Sequence, residues 1–311
     1  MVLVSVLIPN YNYARSLPEA IESVLSQTYP RVEPIVVDDG STDNSRDVIA
    51  SYEDRVISVY KENGGLTSAL NAAFERSSGD LIAFLDADDA YEPEKVERVV
   101  AAARRVPQAY LIHHQMQIVG ESGKAIHRPF PARVPDGDIR ALVARTGGWF
   151  PRPVMSGLTF SRGYAQRLFP MPEEQRFVER GRTHVLPVFE TYLAGPAALL
   201  APVAGIQAPL TRYRVHEKNM TFATQATPEG QLLRYRAEAE TLSTVMREKF
   251  GEAPPLRMED HLDYQLLRYA AGETSRAHMI RCVMRSPYLT ARLKVREVMR
   301  VSMERHRTTS E

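Results

Sequence analysis

The sequence predicts an α/β protein, a mostly parallel sheet flanked by helices, followed by a helical C-terminal extension. Three observations carry this. Leu3 to Ile8 and Leu81 to Leu85 are nearly continuous apolar runs of strand length, the pattern of strands buried on both faces. Segments with apolar residues at helical spacing alternate with such runs at short intervals, which marks βαβ units. Beyond Thr227 the chain reads as helix, including Leu232 to Phe250 and His261 to Thr274.

The elements follow in order. The first strand stops at Pro9-Asn10, and Leu17, Ile21, Val24 and Leu25 then share one helix face, with Ser16 placed to cap it. Pro34 to Val37 is a second buried strand that ends in Asp38-Asp39-Gly40-Ser41. Asp43 and Ser45 lead a helix through Val48 and Ile49, and Val56 to Tyr60 is a third strand. Asn63-Gly64-Gly65 is a loop. Leu66 to Ser77 carries Leu70, Ala73 and Phe74 on one helix face. The fourth strand, Leu81 to Leu85, runs into Asp86-Ala87-Asp88-Asp89, and a helix follows at Pro93 to Arg105. Tyr110 to Val119 reads as one or two strands, Pro129 to Pro153 as a Pro- and Gly-rich excursion, and Val154 to Phe160 as a strand. Ala194 to Tyr213 reads as short apolar pieces broken by Pro and Gly.

A length of 311 residues suits one large domain or two ordinary ones. A body at 1–220 and a helical region at 221–311 is the division expected. The apolar fraction of 44% and charged fraction of 25% exclude a disordered or collagen-like chain. A net charge of +1 gives no global bias toward nucleic acid. The single cysteine, Cys282, allows no internal disulfide and points to a reducing compartment. No apolar run reaches the ~18 residues that a membrane helix needs, and Met1 to Asn10 lacks a basic leader. The expected location is the cytoplasm.

Ligands in open α/β sheets bind outside the carboxyl ends of the strands. Here those ends carry Pro9-Asn10-Tyr11-Asn12, Asp38-Asp39 and Asp86-Ala87-Asp88-Asp89. Acidic groups converging from two strand ends are unfavourable unless cations or donors oppose them. Asp86-x-Asp88 suits Mg²⁺ or Mn²⁺ with oxygen ligands. The competing reading is a helix cap, with Asp88 or Asp89 serving the helix near Pro93. No G-x-G-x-x-G follows the first strand, and Asn63-Gly64-Gly65-Leu66 lacks the Lys-Ser/Thr of a P-loop. Its glycines still permit close approach of a ligand, with free helix N–H groups for a phosphate. Taken alone, the two glycines read first as a plain turn.

The motifs VSVLIPNYN, VVDDGSTDNS, NGGLTSALNAAFERSSGDLIAFLDADD and PLTRYRVHEKN, in that order, resemble family 2 glycosyltransferases of the GT-A fold, a Rossmann-like sheet. The resemblance is strong over residues 2 to 105 and looser over 153 to 220. It implies a nucleotide-diphosphate-sugar donor (a UDP-sugar above others), a divalent metal and inversion at the anomeric carbon. Pro9 and Tyr11 would line the nucleobase pocket, and Asp39 would accept a hydrogen bond from the base. Asp86 would touch ribose or metal, Asp88 would hold the metal, Asn71 would lie near the donor, and His216 near the diphosphate or metal. The metal would neutralise charge on the leaving nucleoside diphosphate.

The resemblance breaks at the general base. The family supplies an Asp at the start of a helix whose later Gly matches Gly195, and counting back places His184 there. Histidine can act as a base at neutral pH. Otherwise the base lies nearby, with Glu179 (favoured next), Glu173, Glu174 and Glu190 the candidates, or the protein has weak activity. His113-His114 point to opposite faces of a strand and read as structural. Trp149 could stack on an acceptor sugar or simply pack. From Arg276 to Arg307, nine Lys and Arg oppose two Glu. Such a basic amphipathic segment could lie on the inner face of a membrane, or pack on the body or in a homodimer. Two alternatives to a transferase stand: a nucleotidyltransferase, and a sugar-nucleotide-binding protein without turnover.

Overall fold

The computed structural model describes residues 1–172, 176–179, 182–185, 189–216, 228–252, 255–258, 261–270 and 273–285. Eight strands form one sheet in the spatial order β3-β2-β1-β4-β7-β6-β10-β5. They are β1 (Val4–Asn10), β2 (Val32–Asp39), β3 (Ile57–Lys61), β4 (Leu81–Phe84), β5 (Ala90–Tyr91), β6 (Leu111–Val119), β7 (Leu158–Ser161) and β10 (Ala204–Arg214). Strands β8 (Arg176–Glu179) and β9 (Arg182–Val185) form a separate antiparallel pair. β3, β2, β1 and β4 run parallel, with Asn10 beside Asp38 and Asp39 beside Lys61. Their carboxyl ends therefore share one edge. β7 enters antiparallel between β4 and β6, and β6 pairs parallel with β10.

Every residue of β1 is buried, because helices cover both faces of the sheet. On one side α1 (Leu17–Leu25), α2 (Ser45–Ala50) and α4 (Lys95–Arg105) close a core around Val4, Val6, Ile8, Ile21, Val36 and Val99. On the other, α3 (Gly65–Arg76), α5 (Arg140–Arg145), α6 (Arg162–Leu168) and α7 (Phe189–Leu200) pack around Leu7, Phe84, Phe160 and Leu193. Helices α8 (Pro228–Phe250), α9 (Leu262–Ala270) and α10 (Arg276–Arg285) follow. The boundary expected near residue 220, and the tail beyond Arg285, lie outside the described residues.

Two local expectations change. The Ser16 hydroxyl turns back to the Tyr13 carbonyl and caps no N–H of α1. Ala194 to Leu200 continue helix α7 through Gly195 and Pro196, and only then does β10 begin. Burial on nearly all sides of α7 outweighs the helix-breaking tendency of those residues. Gly195 has a packing reason: a Cβ there would lie 2.9 Å from Leu242 Cδ1 on α8. Gly148, at φ +97, meets the same leucine, with a Cβ falling 2.3 Å from Leu242 Cδ2. His113 and His114 are both fully buried on β6; His113 Nε2 lies 2.8 Å from Pro135 O, and His114 Nδ1 lies 2.7 Å from Gln115 O.

Candidate active site

A cleft of about 1700 Å³ opens over the carboxyl ends of β1, β2 and β4. Pro9, Tyr11, Asp39, Asp86 and Asp88 all line it. Tyr11 is 46% exposed, so much of its side chain is open to a ligand. The turn after β1 is held by Asn12, which sits at φ 61. Its Oδ1 accepts from Thr42 N at 2.7 Å and Asp43 N at 3.2 Å, tying the first strand end to the second.

Asp39 is committed to the protein before any ligand arrives. Its carboxylate accepts from Gly64 N (3.0 Å), Gly65 N (2.7 Å) and Lys61 Nζ (2.7 Å). The loop amides expected to be free for phosphate are thus taken by Asp39. A carboxylate has about four acceptor positions, so one remains for a ligand donor.

The Asp86–Asp89 turn is fixed from three directions. Ser156, in a 3₁₀ turn at Met155–Gly157, donates to Asp86 Oδ2 at 3.2 Å and accepts from Asp86 N at 3.0 Å. Asp89 Oδ1 accepts from Arg214 N on β10 at 3.0 Å. Asp88 Oδ2 lies 2.7 Å from His216 Nε2. Helix α4 begins only at Lys95, so none of these aspartates caps it. Burial, then the charges of Asp88 and Glu190, push the Asp86 carboxyl up to about 8. Asp89 is raised in the same direction, by burial first and then by Asp86 and Asp88. Tyr13 also lines the cleft, its ring centroid 6.1 Å from that of His216. Burial and the neighbouring aspartates push its phenol up to about 12, so it stays neutral.

Of the residues placed at the site by resemblance, Asn71 lies away from the cleft and His184 is on a strand and not at the start of a helix. Asn71 is absent from the cleft wall, and its side-chain amide is spent on Met171: Nδ2 donates to Met171 O and Oδ1 accepts from Met171 N, both at 2.8 Å. His184 does not open a helix; it sits on β9, paired with Phe177, while α7 begins at Phe189. The side chains of His184 and Glu179, and all of Glu173 and Glu174, lie outside the described residues. Glu190 is in the first turn of α7, half-buried, and lines the cleft. Its charge reaches Asp86. Of the four carboxylates named from the sequence as alternative bases, it is the one whose side chain falls within the described residues, and it lies on the helix that carries Gly195.

The far wall comes from the excursion and from α8: Trp149, Arg152, Arg234, Tyr235 and Glu238 all face the cleft. Trp149 is half-buried with its ring 5.0 Å from that of His261.

The sequence pattern of the family described as glycosyl transferase family 2 matches residues 5–166. The chain belongs to that family. It is a glycosyltransferase with the GT-A fold. An uncharacterized glycosyltransferase of Nostoc sp. is 30% identical over 86% of this chain and 82% of its own length. A putative teichuronic acid biosynthesis glycosyltransferase, TuaG of Bacillus subtilis, is 44% identical, over 31% of this chain and 40% of that protein. Among solved structures, S. aureus TarS 1–349 in complex with UDP-GlcNAc superposes with a TM-score of 0.59 at 15% identity, covering 90% of this chain and 79% of that one.

Proposed function

We propose that this glycosyltransferase takes its sugar from a nucleotide-diphosphate donor, a UDP-sugar above others, and transfers it with inversion to an acceptor hydroxyl in a metal-assisted reaction. One observation carries the reading: Asp39 from the end of β2, Asp86 and Asp88 from the turn after β4, and Glu190 from α7 line a single cleft. The UDP-GlcNAc bound by the similarly folded TarS supports the choice of nucleotide.

The donor chemistry suits a divalent cation: Asp86 and Asp88 offer carboxylate oxygens in the cleft, and His216 Nε2 lies 2.7 Å from Asp88 Oδ2, although no three such groups converge among the described residues. The Asp86 carboxyl, raised by burial and then by the charges of Asp88 and Glu190, is where a cation would relieve that charge. Asp86, Asp88 and His216 would hold the ion, which when bound neutralises charge on the diphosphate leaving group. Pro9 and Tyr11 flank the nucleobase, and Asp39 sets the loop at Gly64-Gly65 and offers its remaining acceptor position to the base. Glu190, at the mouth of α7, takes the proton of the acceptor hydroxyl. It replaces His184 in that role because it is the carboxylate that reaches the cleft from a helix start.

The test pairs binding with turnover. Asp88→Ala should abolish Mn²⁺-dependent UDP binding in calorimetry. Glu190→Gln should slow sugar release from a UDP-sugar panel by about 10² to 10⁴, the usual loss for a general base, with UDP affinity held within about twofold. If Glu190→Gln turns over like the parent while His184→Ala is crippled, the base is His184.

A further inference from the structure

We propose that the acceptor carries an anionic group, a phosphate or a carboxylate, and that Arg152 with Arg234 forms its subsite beside Glu190. The inference rests on the donor reading above only in that it assigns the other end of the same cleft. Arg152 stands between Pro151 and Pro153, so its backbone is stiff, and its side chain is only 10% exposed. Its Nη2 donates to Thr191 Oγ1 at 2.6 Å, next in sequence to Glu190. The carboxylate nearest to it, Glu238 Oε2 on α8, lies 3.6 Å away, beyond hydrogen-bond distance. Arg234 Nε takes the other oxygen of the same carboxylate at 3.0 Å. Two guanidinium groups thus share one carboxylate, and Arg152 Nη1 is buried with no hydrogen-bond partner.

A buried guanidinium nitrogen without an acceptor is costly, and a docking strut for α8 would not need one. The planar fork of arginine matches two oxygens of a phosphate or carboxylate. An anion held there would be anchored within one residue of the proposed base, so a hydroxyl of the same molecule would lie at Glu190. With the Asp86–Asp88 end assigned to the metal and the donor's diphosphate, the arginine end is the place left for a charged acceptor.

The same chemistry could come from the donor's diphosphate, and the experiment separates the two. Glycerol 3-phosphate and glucuronate, with glycerol and glucose as neutral controls, are titrated calorimetrically into the full chain with and without saturating UDP and Mn²⁺. Both anions should bind with UDP present, and the neutral pair should not. Arg152→Gln should weaken the anions by about tenfold or more, the scale of a charge-assisted pair, while UDP affinity stays within about twofold. Glu238→Gln should tighten the anions, because it frees both arginines, an outcome that a purely structural Arg152 does not produce. Displacement of the anions by UDP, equal binding of the neutral pair, or full affinity in folded Arg152→Gln overturns the proposal. If Arg152→Gln does not fold, Glu238→Gln decides, and unchanged or weaker anion binding overturns it. Absence of UDP binding by the parent sinks the donor reading alone, since the arginine arm also runs without nucleotide.

Discussion

Asp39 lines the cleft, as its place at a strand end predicts, yet its carboxylate is already engaged by the protein. Its place at the end of β2 was legible, since a carboxylate after a buried strand faces the edge where ligands bind. Its three internal partners were not, because Lys61, Gly64 and Gly65 reach it only through the folded loop. Asp39→Asn removes the charge that holds Lys61 and one of the acceptors that hold the loop amides. We expect UDP affinity to fall by about tenfold or more, the scale of losing charge-assisted bonds, with Lys61→Met milder. Calorimetric affinities matching the parent in Asp39→Asn would remove this residue from the donor site. Asp86, Asp88, Pro9 and Tyr11 were legible for the same geometric reason as Asp39. Asn71 and His184 were carried by resemblance alone, and there the geometry departs: the Asn71 amide is consumed by Met171, and His184 precedes its helix on a strand.

At the scale of elements, the first four strands and the helices between them followed from apolar runs and helical spacing. Each is covered by its neighbours in sequence, so local pattern and burial agree. The second half broke that link. Helix α7 contains Gly195 and Pro196, yet it is held by packing against α8, which begins only at Pro228, well beyond the end of α7 at Leu200. The insertion of β7 between β4 and β6 likewise depends on pairing that no local spacing records. Leu242 is the joint of this arrangement: fully buried on α8, it fills the space left by Gly148 and Gly195. Leu242→Ala should cost about 2–5 kcal/mol of stability, as buried leucines do when the cavity cannot collapse. Urea unfolding gives the number, and an unchanged midpoint at equal slope would show that α8 is not clamped here. Because Arg234 and Glu238 ride on the same helix, the variant should also loosen the far wall of the cleft.

Over the whole molecule, a net charge of +1 conceals two opposed sets of buried groups. Asp86 is raised from an ordinary 3.8 to about 8 by burial and by its acidic neighbours. The folded protein therefore binds more protons there than the unfolded chain between those values, and that part of the stability is lost as pH rises through about 8. His113 runs the other way. Burial lowers it from 6.5 to about 4, so the unfolded chain binds the extra proton, and stability falls as pH drops from 6.5 toward 4. His114 and His261 are lowered by burial too and add to the acid side. Above about 7.5 the histidines are neutral in both states; the raised carboxylates then lose stability with rising pH, while Lys95, held well below its ordinary 10.5 by burial, works in the opposite direction. In EDTA, the Asp86 contribution to stability, read as the difference between the parent and Asp86→Asn, should decline from about pH 6.5 to about pH 8.5 by roughly 2 kcal/mol, at about 1.4 kcal/mol per pKa unit spanned. His113→Gln should reduce the loss between 6.5 and 4 without touching the alkaline limb. Saturating Mn²⁺ should restore stability at the alkaline end, since a cation opposes the same charges that the proton does. Denaturant midpoints across this range provide the measurement; an alkaline limb of equal slope in Asp86→Asn would mean that the carboxylates of the cleft are not the groups that titrate.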